Sequence, residues 1–164
     1  ISRLSPRHII CTWEPRMKWT SHIALTATIA YAVTADPMLT AAAAVGAILP
    51  DKIEGSPQSV GWRTWRSRHR GWSHWPMLYI ALIGGLIQAQ QYFFYDAAFF
   101  AVLAWIFGGA LLHIAEDAVC GKVPLLYPTQ KVGVRLFTVG SLREYLFVLI
   151  CIVFVYAGQC FLRM

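Results

Sequence analysis

Long apolar stretches broken by short polar ones dominate this chain. The run YLFVLICIVFVYAG at residues 145–158, extended by its flanks to residues 141–162, reaches the roughly 20 residues that cross a hydrocarbon core. Residues 97–119 form a second such stretch. A third, residues 74–91, is shorter and is interrupted by Gly84-Gly85, a pair expected to let helices approach closely. Residues 18–49 are apolar throughout but carry Asp36-Pro37 in the middle. Proline disfavours helix at the residue before it, so this stretch predicts two helices joined by a tight turn. The second of them, residues 38–49 with its run Ala41-Ala42-Ala43-Ala44, is expected to pack inside the bundle, where small residues permit close contact. The pattern predicts an all-α, polytopic membrane bundle of about five helices. Composition points the same way. The chain is 57% hydrophobic and 13% charged, with a mean hydropathy of +0.52, outside the usual balance of a soluble domain.

Charge then orients the bundle. Arg3, Arg7, Arg16 and Lys18 lie in the N-terminal arm; Lys52, Arg63, Arg66, Arg68 and Arg70 lie between the second and third helices. Lys122, Lys131, Arg135 and Arg143 precede the last helix. Connections around Asp36-Pro37 and over residues 88–96 contain no Lys or Arg. The positive-inside rule puts the three basic segments in the cytoplasm. The net charge of +6 is then a basic cytoplasmic face that attracts anionic lipid headgroups, and it requires no nucleic acid.

Cys11, Cys120, Cys151 and Cys160 show no CxxC spacing, so reduced thiols rather than a disulfide framework are expected. Met17-Lys18-Trp19-Thr20 reads as a natural start, which makes residues 1–16 an extension and residues 17–164 one membrane-embedded domain.

The candidate chemistry sits at the ends of the apolar segments. His22, His69, His74 and His113, with Asp51 and Asp117, all fall on the cytoplasmic side of this topology. In LLHIAEDAVCG, His113 and Asp117 are four residues apart, so they project from one helix face about a turn apart and are spaced to share a metal. The ordinary reading is a capping imidazole beside a solvated acid, and Glu116, on an adjacent face, reads either as a support behind the ligands or as a solvated acid, the second being the expected one. SRHRGWSHWP supplies His69 and His74 around Gly71, which allows the turn that brings both rings inward, while Ser73 can cap the following helix. Its tryptophans also fit an interfacial aromatic belt. Arg70 between the two imidazoles has the fork that grips phosphate. His22 lies one turn into the first helix, and Asp51 ends the second in AILPDKIEG. Singly, such residues are usually packing groups or turn formers. Together they bring ligand-type side chains from four helices to one level, as helical carboxylate/His metal sites require.

At SHIAL, AILPD, HRGWSH and LLHIAEDAVCGKVPLLYP the chain resembles the YdjM-like inner-membrane proteins described as metal-dependent hydrolases. The resemblance covers most of residues 17–128. It implies a bacterial inner-membrane location and a metal site built from His22, Asp51, His69, His74, His113 and Asp117, with a hydrolytic role. One departure stands out: the family follows Leu-Pro-Asp with an apolar residue and a second Asp, whereas here Asp51 is followed by Lys52, Ile53 and Glu54. Glu54 either replaces that acid one position later or leaves a second metal weakened.

The expected function is therefore a multi-pass, metal-dependent hydrolase with its site facing the cytoplasm. Mixed His and carboxylate ligands suit one or two divalent ions of zinc, manganese or iron. Asp51 would act as bridging ligand or base, and Arg70 would steady negative charge on a phosphoester or lipid-like substrate. The alternative is a non-catalytic metal- or haem-binding subunit that assembles with a partner, with His22 and His113 as axial haem ligands. The oligomeric state stays open.

Overall fold

A computed structural model describes residues 17–93 and 96–162; the expected extension at residues 1–16, with Cys11, lies outside them. Helix α1 spans Trp19–Thr34 and stops at Ala35, which adopts the left-handed conformation (φ 51°). The Asp36 carboxylate then accepts hydrogen bonds from the Met38 and Leu39 amides and caps α2, Pro37–Gly46. Pro37 fits there because the first helical turn needs no amide donor from it. The expected Asp36-Pro37 break is thus a helix end and a helix start built from adjacent residues.

Three short helices follow, which the apolar pattern did not anticipate: α3 (Leu49–Glu54), α4 (Pro57–Val60) and α5 (Trp62–Arg68). Asp51 therefore lies in α3, beyond the end of α2 rather than at its last turn. A single 3-10 turn at Trp72–His74 leads into α6, Pro76–Phe93. Helix α7 (Ala97–Cys120) is capped by Asp96, and a small antiparallel hairpin pairs β1 (Val123–Pro124) with β2 (Lys131–Val132). Helix α8, Leu142–Leu162, closes the chain.

Helix α7 is the central post, packed against α2, α6 and α1, and α8 lies against α1. Its closest approach, to α2, depends on glycine. A Cβ at Gly109 would strike the Ala43 carbonyl, and one at Gly46 would strike the Ile106 carbonyl. By contrast, Gly84 and Gly85 face open space among the described residues, so the expected close contact falls at a different glycine pair. The alanine run packs inward in part: Ala43 is fully buried and Ala42 nearly so, while Ala41 is exposed.

Two apolar clusters flank the polar interior. One joins Met17, Leu25, Cys120, Phe137 and Val148; the other joins Tyr79, Ala110, Ile114 and Val123. Glu144, fully buried, ties α8 to the start of α1 by accepting from Ser21 Oγ (2.6 Å), the Lys18 amide (3.0 Å) and the Gly140 amide (2.6 Å). Among the described residues, α7 and α8 are long and apolar enough to cross a membrane. Helix α8 leaves Leu149, Val153 and Phe154 exposed, a surface that lipid rather than water would cover.

Candidate metal centre

Three helices and the 3-10 turn deliver polar side chains to one buried point. His22 comes from the second turn of α1, Asp51 from α3, His74 from the turn before α6, and His113 and Asp117 from the last turns of α7. His22, His74 and His113 are fully buried, and Asp117 and Asp51 are 1% and 4% exposed. Helical spacing places His113 and Asp117 on one face, and His113 Nε2 lies 3.8 Å from Asp117 Oδ2.

The ligand-type atoms face one another at the distances of a coordination polyhedron. His74 Nε2 and His113 Nε2 are 3.3 Å apart. Asp51 Oδ1 is 3.6 Å from His74 Nε2 and 4.0 Å from His113 Nε2, and Asp117 Oδ2 is 3.5 Å from His74 Nε2. An ion with bonds of about 2.0–2.2 Å to N and O has tetrahedral edges of about 3.3–3.6 Å, close to this set. The atoms fall into two overlapping groups with metal-ligand spacing, His22/His113/Asp117 and Asp51/His74/His113. In the first, His22 Nε2 stands 3.6 Å from Asp117 Oδ1 and has no hydrogen-bond partner among the described residues.

Charge supports the same fit. Around this point four carboxylates, Asp51, Glu54, Glu116 and Asp117, are buried with one guanidinium, Arg70. Such an excess of negative charge is costly in a low-dielectric interior unless protons or a cation offset it. In the metal-free protein, burial disfavours the His74 charge, but the carboxylates of Asp117, Asp51 and Glu54 outweigh it and raise this imidazole to about 10. Burial would likewise raise Asp51, yet the hydrogen bond with His74 and the neighbouring His113 and Trp19 hold it at about 2.

All the ligand-type side chains except His113, whose buried Nδ1 has no hydrogen-bond partner among the described residues, are oriented from behind. Glu116 Oε2 lies 2.5 Å from His22 Nδ1, and Thr26 Oγ1 donates to Glu116 Oε1 at 3.2 Å. Glu116 is therefore buried and fixes the His22 ring, correcting its expected solvated position; the four-residue spacing of His22 and Thr26 was the available signal. Glu54 does the same for His74, with Oε1 3.0 Å from Nδ1. It also accepts from the Arg70 amide (2.5 Å) and Ser73 Oγ (3.0 Å), and Oε2 lies 2.8 Å from His69 Nδ1. Glu54 thus supports the ring of His74 and belongs to neither group of ligand-type atoms. Trp19 Nε1 donates to Asp51 Oδ2 at 2.7 Å, leaving Oδ1 aimed at the two imidazoles.

Three expected roles change. His69 stacks on Trp65, ring centroids 4.2 Å apart, and engages Glu54, so it stands outside both groups and acts on them through Glu54. The four-residue spacing of Trp65 and His69 on α5 explains that stacking. Arg70 (φ 51°) turns its fork inward: Nε lies 3.0 Å from Asp117 Oδ2 and Nη2 donates to Oδ1 at 3.0 Å. The guanidinium expected to grip substrate grips a candidate ligand instead. Gly121 makes room for it, since a Cβ there would collide with Arg70 Nη1. Ser73 serves Glu54 rather than capping α6.

These features define a helical membrane protein with a buried His/carboxylate centre able to hold a cation. The chain belongs to the YdjM inner membrane protein family, whose match extends over residues 17–163. No curated protein and no solved structure matches it.

Proposed function

We propose that this protein is a multi-pass, metal-dependent hydrolase of the inner membrane, acting on a phosphoester or similar amphiphilic substrate at the cytoplasmic face. The observation that carries the reading is the convergence of His113 with His22 and Asp117 on one side and with His74 and Asp51 on the other. Five membrane-embedded segments, α1, α2, α6, α7 and α8, of which α7 and α8 are long enough to span alone, form the accompanying topology with the basic connections inside.

Within that reading His22, Asp51, His74, His113 and Asp117 hold the ion, and Glu116 and Glu54 fix the tautomers of His22 and His74 by occupying their Nδ1 atoms. A divalent ion in such a site supplies Lewis acidity, which activates water and polarises a phosphoryl or carbonyl oxygen. Asp51, the ligand-type carboxylate that also lines a cavity beside the centre, would orient an incoming water there by accepting a hydrogen bond from it. Arg70 offsets the charge of Asp117 and keeps both its oxygens oriented.

Mixed imidazole and carboxylate donors favour zinc, manganese or iron over a soft thiolate metal. The haem alternative is disfavoured by geometry. The His22 and His113 rings are 4.0 Å apart at their centroids, with no room for a porphyrin between them. A purely structural metal site predicts metal without turnover. Hydrolysis of a chromogenic phosphoester by the purified protein, abolished by chelation and by His113→Ala and restored by metal only in the unsubstituted protein, tests the proposal. Bound metal with no turnover on any ester would favour the structural reading.

A further inference from the structure

With Arg70 held by Asp117, the cation left to meet an anionic substrate beside the centre is Lys52, which lines a cavity together with Asp51. A cavity of about 250 Å³ is lined by Trp19, Asp51, Lys52, Gly55 and Ser56. Asp51 is thus shared between its wall and the group formed with His74 and His113. The Trp19 indole is fixed by its bond to Asp51, and Lys52 Nζ lies over that ring, 4.4 Å from the centroid. A cation over an aromatic face is retained yet keeps N–H groups for another partner. The ring does not neutralise it, and the carboxylate on the same wall, Asp51, is engaged by the Trp19 indole N–H. Ser56 adds a hydroxyl at the same cavity.

Size narrows the occupant. At about 30 Å³ per water, the space holds roughly eight waters, less than the usual pocket of a drug-sized ligand. It suits a phosphate group with a few attached atoms.

We infer that this cavity is the headgroup pocket of the centre, taking a phosphate-type anion with Lys52 as its counter-charge and Trp19 as its wall. The inference rests on the hydrolase reading for its substrate class, and on the cavity alone for its location. Bound there, the anion would meet Lys52 and the Ser56 hydroxyl, with the like charge of the Asp51 carboxylate offset by the ion it would hold, and any lipid tail would extend out of the pocket.

The test is calorimetric titration of inorganic phosphate, and separately of short-chain phosphatidic acid, into full-length metal-loaded protein in detergent. Lys52→Ala should weaken both ligands by about tenfold, the scale of one charge-assisted hydrogen bond, with metal content unchanged. Lys52→Arg should restore binding, and Arg66→Ala, which removes another exposed cation, should not weaken it. Tighter binding of phosphatidic acid than of phosphate would assign a lipid-borne headgroup, and equal affinities a free ester; either order upholds the pocket. Unchanged affinity in Lys52→Ala, or equal weakening in Arg66→Ala, would overturn it. If the unsubstituted protein retains no metal, the hydrolase reading falls by itself. The pocket is then judged on the metal-free protein, where phosphate binding that depends on Lys52 upholds it and binding that does not overturns it.

Discussion

His74 Nε2 and His113 Nε2 face each other at 3.3 Å, 39 residues apart in the chain and brought together by the packing on α7 of α6, the helix that the His74 turn precedes. Two imidazole nitrogens approach this closely when a proton or a cation lies between them. In the metal-free protein His74 can carry that proton, because the surrounding carboxylates outweigh burial and raise it to about 10. An ion must take the same position, so the two compete.

That competition has a sign. The His74 pKa is above its ordinary 6.5, so its pairing with carboxylates stabilises the metal-free fold fully below pH 6.5 and is lost as pH rises toward 10. Metal needs the neutral ring. Its affinity should therefore climb across the same window, by about tenfold per pH unit for each proton displaced. Competition titrations between pH 6.5 and 8.5 measure the slope, and a flat profile would remove His74 from the ligand set.

Asp117 carries two duties, and its variants separate them. Asp117→Asn should lose most bound metal and also lower thermal stability, because leaving Arg70 buried without its full counter-charge costs about 3–5 kcal/mol. Adding Arg70→Met should recover much of the stability and none of the metal. Metal content equal to that of the unsubstituted protein in Asp117→Asn would exclude Asp117 as a ligand.

Glu116 acts through His22, so Glu116→Gln should weaken metal binding by about 10–100-fold, as loss of a partner behind a ligating histidine usually does. Glu144 is equally buried but serves the joint between α1 and α8. Glu144→Gln should lower the unfolding temperature and leave metal affinity alone. Equal effects of the two variants on metal affinity would mean that both act through the fold.

Helix contact supplies a prediction independent of metal. Gly109→Ala drives a methyl group into the Ala43 carbonyl and should cost on the order of 1–3 kcal/mol. Gly84→Ala meets open space and should gain up to about 1 kcal/mol from helix propensity. Thermal unfolding in detergent compares them, and the reverse order would contradict the α2/α7 packing.

The long helices were legible because apolar runs and the Asp36-Pro37 break are local signals, and α1, α2, α6, α7 and α8 follow them closely. The convergence of His22, Asp51, His74, His113 and Asp117 was legible from their common level at helix ends. What spacing could not say was which polar side chain stands one layer behind. Glu116 and Glu54 were misjudged because their partners, His22 and His74, lie 94 and 20 residues away in the chain. Arg70 was misjudged because an exposed-looking arginine in a basic segment gives no sign of turning inward, a turn its left-handed backbone and the room at Gly121 make possible. Gly84-Gly85 satisfied the small-residue rule on a helix face that meets no neighbour among the described residues.

Elemental analysis of the purified full-length chain, stripped by chelator and reloaded, tests the central claim most directly. His113 belongs to both groups of ligand-type atoms, so it is the decisive control. The unsubstituted protein should retain at least one divalent zinc, manganese or iron ion per chain after desalting, while folded His113→Ala should retain almost none. A folded, unsubstituted protein that holds no stoichiometric metal, or a His113→Ala variant that holds as much, would contradict it.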